Sequence, residues 1–219
     1  TEIYTLSLHD ALPIFRAFPY PVYVGYDESQ MAARVRAAHA RGLVTQGRIG
    51  HLFEAAWQIR GMETFLVEMV TEPARCEHIL DRLHAWQKGR AMAVARAGVD
   101  ILFTGDDVAT QQAMMFSVDL WRRYLKPRWA DIYRAAKEIH PGIKIRYHSD
   151  GNIMDIIPEL IEIGVDILNP VQPECLDPFE VKRRFGAQLV LDGCLGTQSV
   201  FPFGSPEDVR RTVRAYVEH

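Results

Sequence analysis

The stretch YHSDGNIMDIIPELIEIGVDILNPVQPE, Tyr147 to Glu174, carries one complete repeat of the fold. It begins at the end of an apolar run, Ile143 to His148, which reads as a buried strand. The polar group His148-Ser149-Asp150-Gly151 follows at once. Pro158 has no N–H to donate and its ring crowds the preceding turn, so one continuous helix cannot run through it. The spacing therefore predicts a short turn over Ile153 to Ile157, then a helix from Pro158 to Ile163 that Gly164 ends. Val165 to Leu168 is again short, apolar and partly β-branched, hence a second strand, and Asn169-Pro170-Val171-Gln172-Pro173-Glu174 leaves its end. Strand, helix and strand in so few residues is a βαβ unit, which makes the two strands parallel.

The same rhythm extends in both directions. Leu43 to Gln46, Val99 to Phe103 and Leu189 to Leu191 are the other strand candidates. Pro73 opens a long helix whose Ile79, Leu80 and Leu83 form an apolar stripe and which Gly98 closes. Ser117 can cap a helix running through Leu120, Tyr124 and Leu125 toward Ile139, where Pro141-Gly142 stops it. Asp177-Pro178 and Ser205-Pro206-Glu207 begin two more. Such alternation builds either an open doubly wound sheet or a barrel. No strand is followed by a Gly-rich dinucleotide turn or a phosphate loop, so direct evidence for a nucleotide-binding sheet is missing.

Composition narrows the function classes. With 48% hydrophobic and 24% charged residues the chain can bury a sizeable core. Its 25 basic and 28 acidic residues are interspersed, with no basic run to track a phosphate backbone, so no nucleic-acid partner is expected. No apolar run approaches membrane length and the first thirty residues carry no signal-peptide pattern; neither membrane association nor export is expected. Three scattered cysteines, Cys76, Cys175 and Cys194, make no disulfide framework, and a cytoplasmic location is expected. The oligomeric state has no signature in the sequence. Thr1 to Ile14, TEIYTLSLHDALPI, matches residue for residue the translation of a widely used sequencing adapter. It is read as a non-native segment, with the domain spanning residues 15–219.

Ionisable and hydrogen-bonding residues collect where strands stop. Thr104-Gly105-Asp106-Asp107 follows one strand, His148-Ser149-Asp150 the next, Asn169 to Glu174 the third and Asp192-Gly193-Cys194 the fourth. In a barrel these loops share one rim, the place where barrel active sites are built. A histidine at a strand end is poorly explained by packing, and paired carboxylates shift each other's pKa values. His148, Asp106 and Asp107 are thus the catalytic candidates. Trp57, Asn169, Gln172 and Glu174 are the substrate-binding candidates, with Glu54 beside Trp57 near the first strand's exit. Met114 and Met115 are expected to pack beneath the loop that follows Asp107.

These segments together resemble the uroporphyrinogen decarboxylase superfamily. Tyr147 to Glu174 is similar to its His-x-Asp/Cys-Gly strand end followed by Gly-Val-Asp-x-Leu-Asn-Pro-Val-Gln. GDDVATQQAMMFS, Gly105 to Ser117, is similar to the family's loop before its long helix, and LDGCLGTQSVFPFGSPEDV, Leu191 to Val209, to its next strand and helix start. The resemblance implies a (β/α)8 TIM barrel, here incomplete and truncated at both ends. It also implies one of three activities: a zinc- and corrinoid-dependent methyltransferase or O-demethylase, a cofactor-free tetrapyrrole decarboxylase, or a non-catalytic ligand-binding member. The methyltransferase reading implies a metal held by His148 and Asp150, with Glu174 and Cys194 as further ligands, and a corrinoid carried by a partner protein. Aspartate stands where methyltransferases have a cysteine two residues after the histidine, which makes the metal harder than a thiolate-rich zinc. Trp57 stands four residues before Gly61, where the decarboxylase has a tyrosine, which counts against literal decarboxylation.

Overall fold

A computed structural model describes residues 16–25 and 27–218; Thr1 to Ile14 lies outside the described residues. Five parallel strands run side by side in chain order: β1 Gln46–Arg48, β2 Ile101–Gly105, β3 Lys144–His148, β4 Ile167–Asn169 and β5 Val190–Leu191. Strictly sequential order with helices between the strands is the topology of a (β/α)8 barrel, and here the sheet is open, with β1 and β5 as its edges. The helices are α1 Glu28–His39, α2 Phe53–Arg60, α3 Met62–Thr71, α4 Pro73–Arg96, α5 Val118–Tyr124, α6 Lys126–Ile139, α7 Ile157–Glu162, α8 Pro178–Phe185, α9 Val200–Phe203 and α10 Pro206–Glu218.

The sheet's two faces have opposite chemistry. Leu102, Thr104, Ile145, Tyr147 and Leu168 alternate onto the helix side and are fully or almost fully buried with Trp121, Trp129, Tyr133 and Ile132 of α5 and α6. Cutting Ile145 to Ala in this layer would cost about 2–5 kcal/mol. Ion pairs reinforce the helix layer: Lys88 of α4 meets Asp131 of α6 at 2.7 Å, and Arg128 meets Asp81 at 2.5 Å. The intervening residues Arg48, Phe103, Arg146, His148 and Asn169 project from the other face, the inside of a barrel. That face is normally filled by branched aliphatic side chains.

Three expectations need correction. The first strand lies later than Leu43 to Gln46. Leu43 and Val44 are 47% and 73% exposed, and pairing starts only at Gln46↔Ile101, because Asp100 accepts hydrogen bonds from the Thr45 backbone N–H and hydroxyl and fixes the chain just ahead of the sheet. The helix expected from Ser117 toward Ile139 is two helices, since Pro127 in the first turn of α6 cannot donate back into α5. The segments that form α1, α2, α3 and α9 were not anticipated; α1 and α2 have only weak amphipathic patterns. The split around Pro158 is present as a 3-10 turn over Met154–Ile156 leading into α7, and Ser117 and Asp177 cap α5 and α8 through their side chains. Among the described residues no helix is long and apolar enough to cross a membrane.

Candidate functional site

The rim begins with glycine. Gly105, the last residue of β2, has φ 150°, and a Cβ there would run into the backbone carbonyl of His148 on β3. Only glycine permits this approach, and the Asp106 N–H then donates to the same carbonyl at 3.1 Å. The next two residues diverge: Asp106 turns into the protein and Asp107 toward the mouth.

Asp106 is fully buried. Its Oδ1 accepts from the backbone N–H groups of Leu52 at 2.9 Å and Glu54 at 3.2 Å, and its Oδ2 accepts from the Trp129 indole at 3.1 Å. Burial pushes its pKa up to about 7, against the pull of His51 and these donors. The sequence placed Asp106 among the catalytic residues; the geometry makes it the anchor that fixes the start of α2 against the rim.

Asp107, His148 and Asp150 converge at the mouth, each offering a ligand atom within 4.8 Å of the others. His148 Nε2 lies 3.8 Å from Asp107 Oδ1, which also accepts from the Asp150 backbone N–H at 2.8 Å. Burial and then the Asp107 charge raise the pKa of Asp150, while the His148 charge works against them. The orientation of His148 follows from its neighbour. Asn169 donates through Nδ2 to the Asp192 carbonyl at 3.0 Å, so its Oδ1 is the atom 2.7 Å from His148 Nδ1. An amide oxygen only accepts, so Nδ1 carries the hydrogen and Nε2 is the ring nitrogen that faces the carboxylates. Asn169, read from sequence as a substrate-binding residue, is here the group that orients His148.

These residues fit a divalent cation. Ligand atoms around one tetrahedral zinc are about 3.4 Å apart, given bonds of about 2.1 Å, so the His148 to Asp107 spacing needs little change. One imidazole and two carboxylates suit zinc, iron or manganese. An imidazole whose other N–H is held by an amide oxygen is the usual support for a metal-bound histidine.

A second group sits beside the first and includes a residue that sequence reasoning missed. His51, on the loop before α2, has Nδ1 2.7 Å from Glu54 Oε2 and 2.7 Å from the Gly105 carbonyl. Both partners are acceptors, so Nδ1 bears the hydrogen. The Glu54 hydrogen bond is the main cause of a raised His51 pKa, while burial works against it. Burial alone would raise the Glu54 pKa, but His51 and the Asp107 backbone N–H, 3.2 Å away, hold it below the usual value. The available signal was the spacing His51-x-x-Glu54 at a helix start, which places both side chains on one side of the first turn.

The remaining expected residues lie apart from these groups. The Glu174 carboxylate is occupied by the Ser199 hydroxyl at 2.6 Å and the Gln198 N–H at 3.2 Å, so it folds its own loop and is not among the residues converging on His148. Cys194 is also not a ligand in this arrangement: it is buried at the β5 end, beside a cavity of about 400 Å³ against α8 and α10, and burial pushes its thiol up to about 11. Gln172 is buried, and its backbone carbonyl receives the N–H groups of Cys175 and Leu176. Trp57 is half-buried against the core, one turn beyond Glu54 on α2, while Met114 and Met115 pack against the core as expected.

The fold agrees with what known proteins show. Residues 32–219 match the profile of the family described as uroporphyrinogen decarboxylase (URO-D), and the chain belongs to that family. Among curated proteins none matches its sequence. Among solved structures, a methyltransferase from Methanosarcina mazei superimposes with a TM-score of 0.70 at 17% identity, covering 86% of this chain and 54% of that one. The chain therefore spans about half the length of that relative, and the likeness is one of fold.

Proposed function

We propose that this chain carries the metal-binding rim of a methyltransferase of the family, acting with a corrinoid held on a partner protein. The observation that carries the reading is the fixed Nε2 of His148 facing Asp107 and Asp150. These three residues would hold a divalent cation, zinc being the metal that the resemblance to the methyltransferase branch implies. Such a cation, when bound, lowers the pKa of a coordinated hydroxyl or thiol and so supplies a methyl-accepting nucleophile at neutral pH. Asn169 fixes the imidazole, Asp106 fixes the backbone that carries Asp107, and Glu54 accepts the Asp107 N–H. Two oxygen donors leave the cation more electron-poor than thiolates would, which favours a hydroxyl acceptor or an O-methyl substrate over thiol activation. The name of the Methanosarcina mazei relative supports methyl transfer as the class. Tetrapyrrole decarboxylation is the weaker reading, because Trp57 supplies no hydroxyl at the tyrosine position. The three free cysteines accord with a reducing cytoplasm.

Zinc titration against a competing chelator tests this directly. The chain should bind one zinc, and Asp107→Ala and Asp150→Ala should each weaken it at least about tenfold. Equal zinc affinity in wild type and both variants would remove the site.

A further inference from the structure

Beside the rim, His51 and Arg48 form a second arrangement that the metal reading leaves unused. Arg48 ends β1 and projects onto the inner face, its guanidinium 4.9 Å from the centre of the Phe103 ring; Arg146 lies over the same ring at 4.8 Å. Arg146 is neutralised by Asp192 at 2.5 Å and held by Gln46 at 3.0 Å. Arg48 has no carboxylate within ion-pair distance among the described residues, and its nearest side-chain polar partner is His51 Nε2 at 3.4 Å. His51 Nδ1–H is already directed to Glu54 and the Gly105 carbonyl, so the ring is locked with Nε2 as its acceptor nitrogen. A carboxylate behind Nδ1–H and an acceptor Nε2, here facing an Arg48 N–H at 3.4 Å, is the arrangement of a general base. Here an uncompensated cation lies beside that nitrogen, ready to hold an anion.

We infer that His51 and Arg48 form the pocket that deprotonates an acidic hydroxyl or thiol of the methyl acceptor. His51 Nε2 takes the proton, the X–H electron pair stays on the oxygen or sulfur, and Arg48 pairs with the resulting anion. Methyl transfer to that anion forms the X–C bond while the donor keeps the electrons of the bond that breaks, so the proton left over is the one on His51. Glu54 is a positioning residue: it touches no substrate atom and stabilises the imidazolium. The charged groups facing His51 are Glu54 from α2, Asp106 from the β2 end and Arg48 from β1. The inference rests on the methyltransferase reading for the fate of the anion, but deprotonation itself does not need the cation held by His148.

The test uses the full chain stripped of metal with chelator, and two chromophoric probes, 4-nitrophenol for a hydroxyl acceptor and 4-nitrothiophenol for a thiol. Each is titrated with protein slightly below its own midpoint pH. Binding should raise the visible absorbance of the anion for one probe or both, and the responding probe identifies the acceptor class. His51→Gln should lower the bound-anion signal roughly tenfold or more, and Arg48→Gln, at an exposed side chain, should do the same with an unchanged circular dichroism melt. Zinc affinity of both variants should equal that of wild type, so loss of the zinc site in the preceding experiment leaves this result standing. The inference is overturned if neither probe ionises on the protein, if the signal persists in both variants, or if it arises only after zinc is added.

Discussion

The rim contains two groups, each of one histidine and two carboxylates, with different fates. One is His148 with Asp107 and Asp150; the other is His51 with Glu54 and Asp106. In the first, an amide oxygen takes the Nδ1 hydrogen, and Nε2 faces Asp107 at 3.8 Å, with a ligand atom of each of the three residues within 4.8 Å of the others. In the second, the Nδ1 hydrogen points at the group's own carboxylate and a backbone carbonyl, while Asp106 is filled by three donors. A cation placed there would have to displace the Nδ1 hydrogen and face the Gly105 carbonyl. Residue type alone therefore does not separate a metal-binding triad from a proton-handling pair; the direction of the hydrogen bonds does.

The sharpest way to break this contrast is to remove one histidine at a time. His148→Ala should weaken zinc binding more than about a hundredfold, close to 3 kcal/mol, since a nitrogen bonded to the cation is lost. His51→Ala should leave zinc affinity within about twofold. Isothermal titration of both variants decides the matter, and equal losses would mean that the two groups bind one cation jointly.

Asp106→Asn comes next in size. The amide can still accept from the Leu52 and Glu54 N–H groups, but its NH2 then faces the Trp129 indole N–H, and one buried donor is left unpaired. The expected cost is about 2 kcal/mol, or about 4–8 °C in the melting midpoint of a domain this size. Its pH dependence has a definite sign. Burial lifts the Asp106 pKa to about 7, so between about 4 and about 7 the native chain holds a proton that the unfolded chain has released. Stability then declines as pH rises through that window, and the asparagine variant should lack this slope. A steeper slope in the variant would contradict the assignment.

How far the sequence could take a reader follows the same division. The strand order, the rim and the residues His148, Asp107 and Asp150 were legible, because short apolar runs ending in polar residues are local patterns. His51 was not, since its importance comes from the Gly105 carbonyl 54 positions away, and no spacing rule expresses that contact. Glu174 and Cys194 suit a metal as residue types, and what the sequence did not express is that Ser199 bonds the Glu174 carboxylate and that Cys194 is buried. Asn169 was read as a substrate-binding residue, and its side chain bonds His148 and the Asp192 carbonyl. Only its donation to the Asp192 carbonyl shows which of its ends meets His148.

That orienting role gives a smaller prediction. Asn169→Ala frees the imidazole to rotate and to adopt the other tautomer, so zinc affinity should fall about tenfold, near 1.4 kcal/mol, without loss of any direct ligand. Nitrogen NMR of the labelled ring should report Nδ1–H in the metal-free wild type and a mixture in the variant. An unchanged tautomer with unchanged affinity would return Asn169 to the list of residues available for substrate.

The smallest effect is expected far from the rim, where Asp100 secures the entry to β1. Its carboxylate accepts from the Thr45 N–H at 2.7 Å, the Thr45 hydroxyl at 2.7 Å and His39 at 2.8 Å, and these hydrogen bonds, the Thr45 hydroxyl foremost, lower its pKa to about 2. A carboxyl whose native pKa is depressed contributes its full stability above about 3.9, its unfolded value, and loses it as pH falls toward about 2. The side chain is 39% exposed, so solvent screening limits the contribution to about 0.5 kcal/mol. Asp100→Ala should accordingly lower the melting midpoint by a degree or two at pH 7, with the gap closing near pH 2. The rim should not register the change, because the Asp100 carboxylate is bonded to Thr45, just ahead of β1, and to His39 of α1: zinc affinity and the anion signal of the nitrophenol probe should both equal those of wild type. If instead either one falls with Asp100→Ala, the register of β1 against β2 controls where Arg48 and His51 stand, and the two ends of the sheet are coupled through that short strand.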